Sequence, residues 1–521
     1  MSARRDTWGS RLGIIMAVAG SAIGLGNFLR FPAKAATNGG GAFIIPYLVA
    51  LFLLGIPLMW IEWTLGRYGG GFEHGTAPGI FHSVWKKNRF IKYFGVIGIF
   101  GPLVIFIYYS YIESWTMAYS FFALLGKYSA IHDQSGMQSF LRGFQGIEKN
   151  GYFNGLHVAY IFFLLTFIIN ISVIYYGIKG GIERLCKIAM PLLFICAFVL
   201  MIRVLTLGAP NPLHPGWNIF NGMGYLWNPD FSALKSAKVW LEAAGQIFFT
   251  LSVGIGVILT YASYLKKTDD VVLSGLTAAS TNEFAEVILG GSIIIPAAFV
   301  FFGPVDIQSI AQSGVFNLGF VTMPLVLNQL PWPEIFGFLW FFLLFLAGVT
   351  SSVSLAQPAI AFLEDEFNIS RKKAVFIFGA VSFVLCQPAI FFLKNGVVDE
   401  LDFWGGSFFL VLFATIETIL FAWVFGMENA WDEIHKGADM RIPKVYKFII
   451  KYITPLFLFF ILGMWTWQQM IPVALMKQVN PADRPYVLAT RIALILIFAT
   501  LGVLVKIAWS RKKVHPARKP A

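Results

Sequence analysis

Twelve apolar segments follow one another along the 521-residue chain. Each has the roughly 17–25 residues that a helix needs to cross a bilayer, or more if the helix is tilted. They cover residues 12–35, 41–68, 92–124, 157–176, 185–206, 238–264, 272–302, 334–363, 373–393, 403–425, 446–470 and 487–509. Because backbone polar groups in lipid must be bonded internally, the pattern predicts an all-α, polytopic membrane protein with twelve transmembrane helices.

The composition agrees with this prediction, since 57% of the residues are hydrophobic and 13% are charged, against about 25% charged in a soluble domain. Cys186, Cys196 and Cys386 all lie in apolar segments, without the spacing of a disulfide framework or a metal site. The net charge of +12 could indicate nucleic-acid binding. In a membrane protein it is more simply explained by cationic cytoplasmic loops, so we expect no nucleic-acid partner.

Lysine and arginine are concentrated in alternate loops and at both termini, from Arg4 and Arg5 to Arg511, Lys512 and Lys513. The loops near 36–41 and 303–333 contain neither residue. The positive-inside rule therefore predicts that both termini are cytoplasmic. On this interpretation residues 1–10 form a cytoplasmic N-terminal segment, and residues 510–521 form a basic cytoplasmic tail that touches anionic lipid.

Two of the apolar segments are interrupted by a glycine triplet. The first contains Gly24-Leu25-Gly26 and the sixth contains Gly254-Ile255-Gly256. Each glycine costs about 1 kcal/mol relative to alanine inside a helix. Glycine also packs transmembrane helices closely, which is the structural alternative for either triplet alone. Glycine-interrupted segments at corresponding positions in two halves of a chain indicate the binding site of a transporter.

The positions of the two breaks also predict the domain organisation. Helices 1 and 6 would be discontinuous, and each would open one half of a five-plus-five inverted repeat. The first repeat would cover residues 11–206 and the second residues 238–425, with an extracellular loop at 207–237. Residues 426–509 would form two appended helices, the eleventh and the twelfth.

Several carboxylates and amides lie at membrane depth, where such groups are functional by default. They are Asn27, Glu62, Asn282 and Glu286. Together with carbonyl groups freed at a helix break, these hard oxygen donors suit a cation such as Na⁺ better than a transition metal. The chain contains no HExxH, GxSxG or phosphate-binding motif, so nothing in it favours an enzyme.

These residues belong to stretches that resemble the neurotransmitter:sodium symporter family. The similar stretches span nearly the whole chain and include GLGNFLRFP at 24–32, NGGGAFIIPY at 38–47, GIPLMWIEW at 55–63, YYSYIESW at 108–115, GIERLCKIAMP at 181–191, GQIFFTLSVGIG at 245–256, VLSGLTAASTNEFAEVILGGS at 272–292, AGVTSSVSLAQPAIAFLEDE at 347–366 and DFWGG at 402–406. The resemblance implies a sodium-coupled symporter in the plasma (inner) membrane of a prokaryote. It would import hydrophobic L-amino acids by alternating access.

The resemblance implies two sodium sites built from carbonyl, amide and hydroxyl oxygens. The first would use the substrate carboxylate and four residues of the chain, Ala22, Asn27, Thr250 and Asn282. The second would use three carbonyls and two hydroxyls, those of Gly20, Ile23, Ala347, Thr350 and Ser351. Glu286 would supply the negative charge that chloride-dependent relatives take from a bound Cl⁻, so transport should not need chloride.

The same resemblance implies a substrate site at the two breaks. Amides near Leu25 and Gly26, with the Tyr109 hydroxyl, would hold the carboxylate, as a helix N-terminus does. The ammonium group would be held by carbonyls near Ala22, Phe249 and Thr250 and by the Ser252 hydroxyl. The substrate side chain would face Ile105, Phe249, Ile255, Ser351 and Leu355.

Two gates complete the implied mechanism. Outside, Arg30 would pair with Asp402 above a layer formed by Tyr109 and Phe249. Inside, the pair would be Arg5 with Asp365, supported by Trp8, Ser263, Tyr264 and Gln357.

The implied substrate site also includes Ser21. Four residues of this site, Ser21, Ile105, Ile255 and Leu355, differ from a very similar bacterial amino-acid transporter of the family, which has Asn, Val, Phe and Ile there. The preferred amino acid is therefore open. The transport rate and the oligomeric state, a homodimer included, are open as well. An amino-acid sensor of the same fold that does not transport is the main alternative, because it would share the binding site.

Overall fold

The computed structural model describes residues 6–514. Within them the regular secondary structure is helical, apart from one isolated bridge between Gly40 and Pro229. Two of the membrane helices are discontinuous: α1 consists of α1a (Arg11–Ala22) and α1b (Leu25–Thr37), and α6 consists of α6a (Ala237–Leu251) and α6b (Val257–Ala262). The continuous ones are α2 (Gly41–Gly70), α3 (Ile91–Leu124), α4 (His157–Tyr175), α5 (Ile178–Leu205), α7 (Val272–Ile307), α8 (Pro333–Phe367), α9 (Arg371–Phe391), α10 (Val397–Val424), α11 (Val445–Ala474) and α12 (Arg484–Arg511).

Over the described residues, ten helices are individually long and apolar enough to cross a membrane, and the bent pair α1a–α1b forms an eleventh span. The two halves of α6 complete the twelve predicted segments. The largest shift from the prediction is at the end of α7, where the helix continues past Ile307 to Gln312, ten residues beyond the predicted end at 302. The next largest is at the start of α5, which begins at Ile178, seven residues before the predicted segment at 185. The boundaries of the two repeats and of the extracellular loop stay predictions.

Both predicted breaks are present. The halves α1a and α1b meet at an angle of 49°, and the backbone of Ile23 and Gly24 between them is extended. In α6 the helix stops at Ser252, which adopts a left-handed conformation with φ of 53°. Gly254 and Gly256 follow with φ of 75° and 91°, a region that glycine enters at little cost.

The long predicted outer loop near 303–333 is largely helical. The last turns of α7 bend at Gly303 and continue to Gln312, and a second helical stretch runs from Val315 to Leu327. Phe320 in this stretch packs against the rings of Trp115 and Tyr119 on α3. The resulting helical hairpin therefore lies against the C-terminal half of α3.

The helices divide into a buried group and a peripheral group. The most apolar window of α3 is 83% buried within the protein, whereas that of α12 is 22% buried. Gly348 allows α8 to approach α3 closely, since a Cβ atom there would lie 2.8 Å from Glu113 Cγ. The two breaks are thus surrounded by protein, while the apolar sides of the peripheral helices are left to the lipid.

Candidate functional site

A small cavity of about 50 Å³ lies between the two helix breaks. Nine of the predicted substrate residues line it: Ser21, Ala22, Ile105, Tyr109, Phe249, Ser252, Ile255, Ser351 and Leu355. The other three are placed differently, because Leu25 and Gly26 line a larger cavity above it and Thr250 lines neither. Three lining residues were not predicted: Gly24, Gly406 and Leu410.

The polar end of this cavity is formed by the two ends of the broken helix α1. The amide of Leu25 donates to the Tyr109 hydroxyl at 3.4 Å. On the other side of the break, the Ser21 carbonyl accepts from the hydroxyls of Ser252 at 2.9 Å and Ser351 at 3.2 Å. A helix start presents free N–H groups and a helix end presents free carbonyls. The break can therefore bind a carboxylate on one side and an ammonium group on the other.

The predicted first sodium site is a compact, buried cluster of oxygen donors. Asn27 Nδ2 donates to Asn282 Oδ1 at 2.8 Å and to Thr250 Oγ1 at 3.1 Å, and Asn282 Nδ2 lies 3.0 Å from the same hydroxyl. All three residues are at most 1% exposed. The amide of Gly24 donates to Asn27 Oδ1 at 2.9 Å, so the cluster is tied directly to the break in α1. This neutral amide and hydroxyl set fits a hard monovalent cation.

Glu286 lies directly behind this cluster and is fully buried. It accepts hydrogen bonds from Thr250 Oγ1, from Gln246 Nε2 and from the Tyr47 hydroxyl, the last at 2.7 Å. Tyr47 and Gln246 were missed as members of the site, although both lie in stretches that carry the family resemblance. A carboxylate at this position places a negative charge next to the predicted sodium ligand Thr250.

The predicted second sodium site lies where α1a crosses α8. Ser351 Oγ donates to the carbonyls of Gly20 at 3.4 Å and Ala347 at 3.0 Å, and Thr350 Oγ1 lies 3.2 Å from the Ala347 carbonyl. Gly20 makes the close approach possible, since a Cβ atom there would lie 3.2 Å from Thr350 Cβ. Ser351 and Thr350 therefore contact Gly20 across the two helices, and both bond the Ala347 carbonyl within α8. The fifth predicted ligand, Ile23, caps the end of α1a in the same break.

Above the small cavity lies a larger one of about 300 Å³, which we call the vestibule; its lining includes Arg30, Tyr108, Asp402, Tyr109 and Phe249. The last two residues also line the small cavity, so they form the predicted layer between the two.

The predicted ion pair of Arg30 with Asp402 is not formed in this structure. The Arg30 guanidinium lies over the Phe249 ring, 4.6 Å from its centroid, and Asp402 accepts from the Tyr108 hydroxyl at 2.5 Å. Arg30 and Asp402 thus each contact an aromatic residue on their own side of the vestibule. The space between the two charged groups is open. Their role as a gate stays a prediction.

On the opposite side of the small cavity the N-terminal segment is held against the helices. Trp8 Nε1 donates to the Tyr261 carbonyl at 2.9 Å, and the amide of Gly9 donates to Glu183 at 2.7 Å. Gln357 Nε2 donates to the Tyr264 hydroxyl at 2.8 Å, and the role of these residues in an inner gate stays a prediction.

Of the predicted inner ion pair, Arg5 lies outside the described residues, and Asp365 lies near the end of α8. Ser263, the remaining supporting residue, bonds the Thr260 carbonyl of its own helix at 2.6 Å. Arg371 was not predicted; it bonds Gln357 Oε1 at 3.0 Å and Glu364 at 3.1 Å.

Comparison with known proteins decides the family. A profile described as the sodium:neurotransmitter symporter family matches residues 5–129 and 128–510. The chain belongs to this family. A sodium-dependent transporter of Methanocaldococcus jannaschii is 33% identical over 466 residues, which are 87% of this chain and 89% of that protein. Sodium-dependent nutrient amino acid transporter 1 of Drosophila melanogaster is 26% identical over 88% of this chain and 77% of its own length.

The solved structures include a close counterpart. The crystal structure of MhsT in complex with L-phenylalanine superposes with a TM-score of 0.75 at 30% identity, covering 88% of this chain and 99% of that one. The chain is therefore a sodium-dependent symporter that passes the membrane many times, and it is a transporter and not an enzyme.

Proposed function

We propose that the protein imports hydrophobic L-amino acids together with two sodium ions by alternating access. The observation that carries this proposal is the small cavity between two helix breaks, flanked by two clusters of oxygen donors. The cluster of Asn27, Thr250 and Asn282 contacts α1b and α6a, and the cluster of Thr350 and Ser351 contacts α1a. An ion in the first cluster would join α1b to α6a, and an ion in the second would join α1a to α8, so both would stabilise the site that binds the substrate.

The amino acid would lie with its charged groups at the α1 break. Its carboxylate would meet the start of α1b near Leu25 and the Tyr109 hydroxyl, which already contact each other. Its ammonium group would meet the end of α1a and the Ser252 hydroxyl. A carboxylate bound there would also reach the first cation, which accounts for sodium dependence of substrate binding.

The substrate side chain would be apolar because the remaining wall is apolar. Ile105, Ile255, Leu355 and Leu410 are each at most 7% exposed and carry no polar side-chain atom. A charged or amide side chain among them would lose its hydrogen bonds to water without replacement. The complex of MhsT with L-phenylalanine supports a large apolar side chain in a related site.

Chloride independence is part of the proposal. Glu286 is fully buried and bonded by Thr250, Gln246 and Tyr47, all of which can donate to an anion. A fixed carboxylate in this ring of donors leaves no charge for chloride to provide.

Alternating access would use the two gates described above. With both termini in the cytoplasm of a prokaryote, the vestibule would open to the outside, and Trp8 and Tyr264 would lie on the cytoplasmic side. The five-helix repeats at 11–206 and 238–425 would supply the moving parts. Closure of the vestibule would bring Arg30 to Asp402.

Uptake by the purified protein in proteoliposomes tests the proposal. An inward sodium gradient should drive accumulation of radiolabelled leucine, a potassium gradient of equal size should not, and excess unlabelled hydrophobic amino acids should compete. Sodium-dependent binding without accumulation would favour the sensor alternative. Neither binding nor uptake of any of the twenty amino acids would contradict the proposed substrate class.

A further inference from the structure

A separate apolar cavity of about 350 Å³ lies outside the transport pathway, between α3, α10 and α12. Its lining is Phe100, Trp404, Phe409, Arg491, Leu494, Ile495, Phe498 and Ala499. Arg491 is the single charged residue among these eight. None of them belongs to the substrate or sodium sites described above, so the cavity needs a different explanation.

The cavity faces the membrane. Its α12 wall includes Ile495, which is 68% exposed, and α12 is the peripheral helix with 22% of its most apolar window buried. Water in such a cavity would find almost no hydrogen-bond partners, and apolar cavities of this kind take up apolar ligands. Hydrocarbon from the surrounding bilayer is the available apolar material.

The polar end of the cavity is closed by Arg491. Its guanidinium bonds Glu400 and the carbonyls of Val473 at 2.6 Å and Ala474 at 2.8 Å, and the Trp404 indole donates to Glu400 at 2.6 Å. Because these internal partners satisfy the guanidinium, it is not a free phosphate site. Arg491 lies seven residues from the start of α12 at Arg484, or about 10 Å at 1.5 Å per residue, so the cavity opens along the N-terminal half of this helix.

One short stretch of α10 connects this cavity with the transport site. Residues Asp402–Phe408 are π-helical, a local irregularity often found at functional positions. Trp404 faces the lipid-side cavity, Asp402 faces the vestibule and Gly406 lines the small substrate cavity. Any displacement of this stretch toward the lipid side would therefore alter the gate and the substrate cavity together.

We propose that one acyl chain of an outer-leaflet phospholipid occupies this cavity and supports α10, so that substrate binding depends on lipid at this position. The outer leaflet follows from the proposed topology, since the N-terminal end of α12 carries Arg491. The dependence of binding on lipid rests on the proposed function, whereas occupancy of the cavity does not.

Ala499→Phe tests occupancy, because a phenyl group at this lining position would fill the cavity from α12. Ala493→Phe is the matched control, since Ala493 is also an exposed alanine on α12 but does not line the cavity. The probe is a phosphatidylglycerol with a diazirine near the middle of one acyl chain, incorporated into nanodiscs and photolysed. We expect crosslinks to peptides of α10 and α12 around residues 404–409 and 494–499 in wild type and Ala493→Phe, and at least a fivefold loss in Ala499→Phe.

Phe498→Ala is a second test that does not depend on the folding of Ala499→Phe. It widens the cavity and should keep the crosslinks. Equal crosslinking at these positions in wild type and Ala499→Phe would overturn the proposal. So would crosslinks spread evenly over the lipid-facing side of α12. This readout does not require transport, so it can fail while the proposed function stands.

Sodium-dependent leucine binding tests the supporting role. Wild type and Ala493→Phe should lose affinity at least threefold when delipidated in detergent and recover it in nanodiscs. Ala499→Phe should show the same affinity in both, since its own side chain supports α10. An identical lipid response in all three proteins would show that the cavity does not support α10 and would overturn that part of the proposal. If none of them binds any amino acid, the proposed function fails instead.

Discussion

The two helix breaks look alike in sequence and differ in construction. The break in α1 spans Ile23 and Gly24, which keep negative φ values of −75° and −117°. The break in α6 runs from Ser252 to Gly256 and contains three left-handed residues. At the first break the chain bends through extended conformations. At the second, the sign of φ changes at three residues.

The glycines of the two triplets therefore serve different purposes. Gly24 adopts a conformation open to any residue, and a Cβ atom there would meet only the hydroxyls of Tyr109 at 3.1 Å and Ser351 at 3.2 Å. Gly256 needs its positive φ, and its Cβ atom would lie 2.5 Å from the Gly98 carbonyl oxygen. In α1 glycine leaves room for a ligand, whereas in α6 glycine permits the fold.

Gly256→Ala should be the most damaging substitution at either break. The left-handed conformation alone costs an L-residue about 1–2 kcal/mol, and the clash with backbone adds to that cost. Gly24→Ala should leave the fold intact and weaken substrate binding, since it displaces two hydroxyls of the site. The measurement is the apparent melting temperature in detergent at one scan rate, with leucine binding alongside. Equal melting temperatures for the two variants would show that the breaks are equivalent.

The features that could be predicted from the sequence are those that local chemistry decides. Hydropathy predicted the twelve segments, and the glycine triplets predicted both breaks, because these properties act over a few neighbouring residues. The different roles of Gly24 and Gly256 could not be predicted, since φ depends on how the flanking helices pack. The family resemblance predicted nine of the twelve residues that line the small cavity, and their role in substrate binding stays a prediction.

Other features of the site depend on contacts between distant segments. Leu410 and Gly406 line the cavity from α10, and Gly406 lies in its π-helical stretch. This part of α10 packs against the α6 break, where a Cβ atom at Gly254 would lie 2.6 Å from the Leu410 carbonyl oxygen. No local pattern indicates this contact. The separation of Arg30 and Asp402 depends on the conformational state, and the amino-acid sequence alone does not indicate which state is adopted.

The proposed sodium ligands allow the two breaks to be compared in ion binding as well. Asn282 lies in the cluster that joins α1b to α6a, whereas Thr350 lies in the cluster that touches α1a alone. Removing one polar ligand of a charged group costs about 1.5–3 kcal/mol, so Asn282→Ala and Thr350→Ala should each raise the sodium concentration for half-maximal leucine binding roughly ten- to a hundredfold.

The measurement is leucine binding titrated against sodium concentration. Thr260→Ala is the control, because the Thr260 hydroxyl bonds the carbonyl of Gly256, four residues before it in the same segment. Asn282→Ala should also lower the maximal leucine binding, since its cluster adjoins the substrate carboxylate. Wild-type sodium dependence in both variants would exclude these residues as ligands.

Glu286 tests the contrast between the two helix breaks further, because it bonds Thr250 and Gln246, both on α6a. Wild type should transport equally in chloride and gluconate. Glu286→Ser should be slow in gluconate and recover several-fold in chloride, since the missing negative charge must then come from solution. Uptake by both proteins in the two anions measures this. A variant that is active and indifferent to chloride would show that Glu286 has another role.

The smallest expected effect concerns Ile255, which lies between the two glycines of the α6 break. Its side chain lines the cavity and is 7% exposed, with Leu410 on the adjoining wall. If the α6 break shapes the side-chain end of the cavity, Ile255→Phe should remove room and shift preference toward Leu, Ala and Gly. Leu410→Ala should add room and favour Phe and Trp.

A methylene-sized change in an apolar pocket alters discrimination by only about 1–3 kcal/mol, so the result should be a graded change in preference and not a loss of binding. Competition of radiolabelled leucine by Phe, Trp and Ala in wild type, Ile255→Phe and Leu410→Ala measures it. Leu412→Ala serves as the control, because Leu412 lies on α10 outside the cavity lining. Opposite shifts for the two lining variants would locate selectivity at the α6 break. An unchanged order of competitors in both would mean that the α6 break contributes to the fold and leaves selectivity to the wall formed by Ile105 and Leu355.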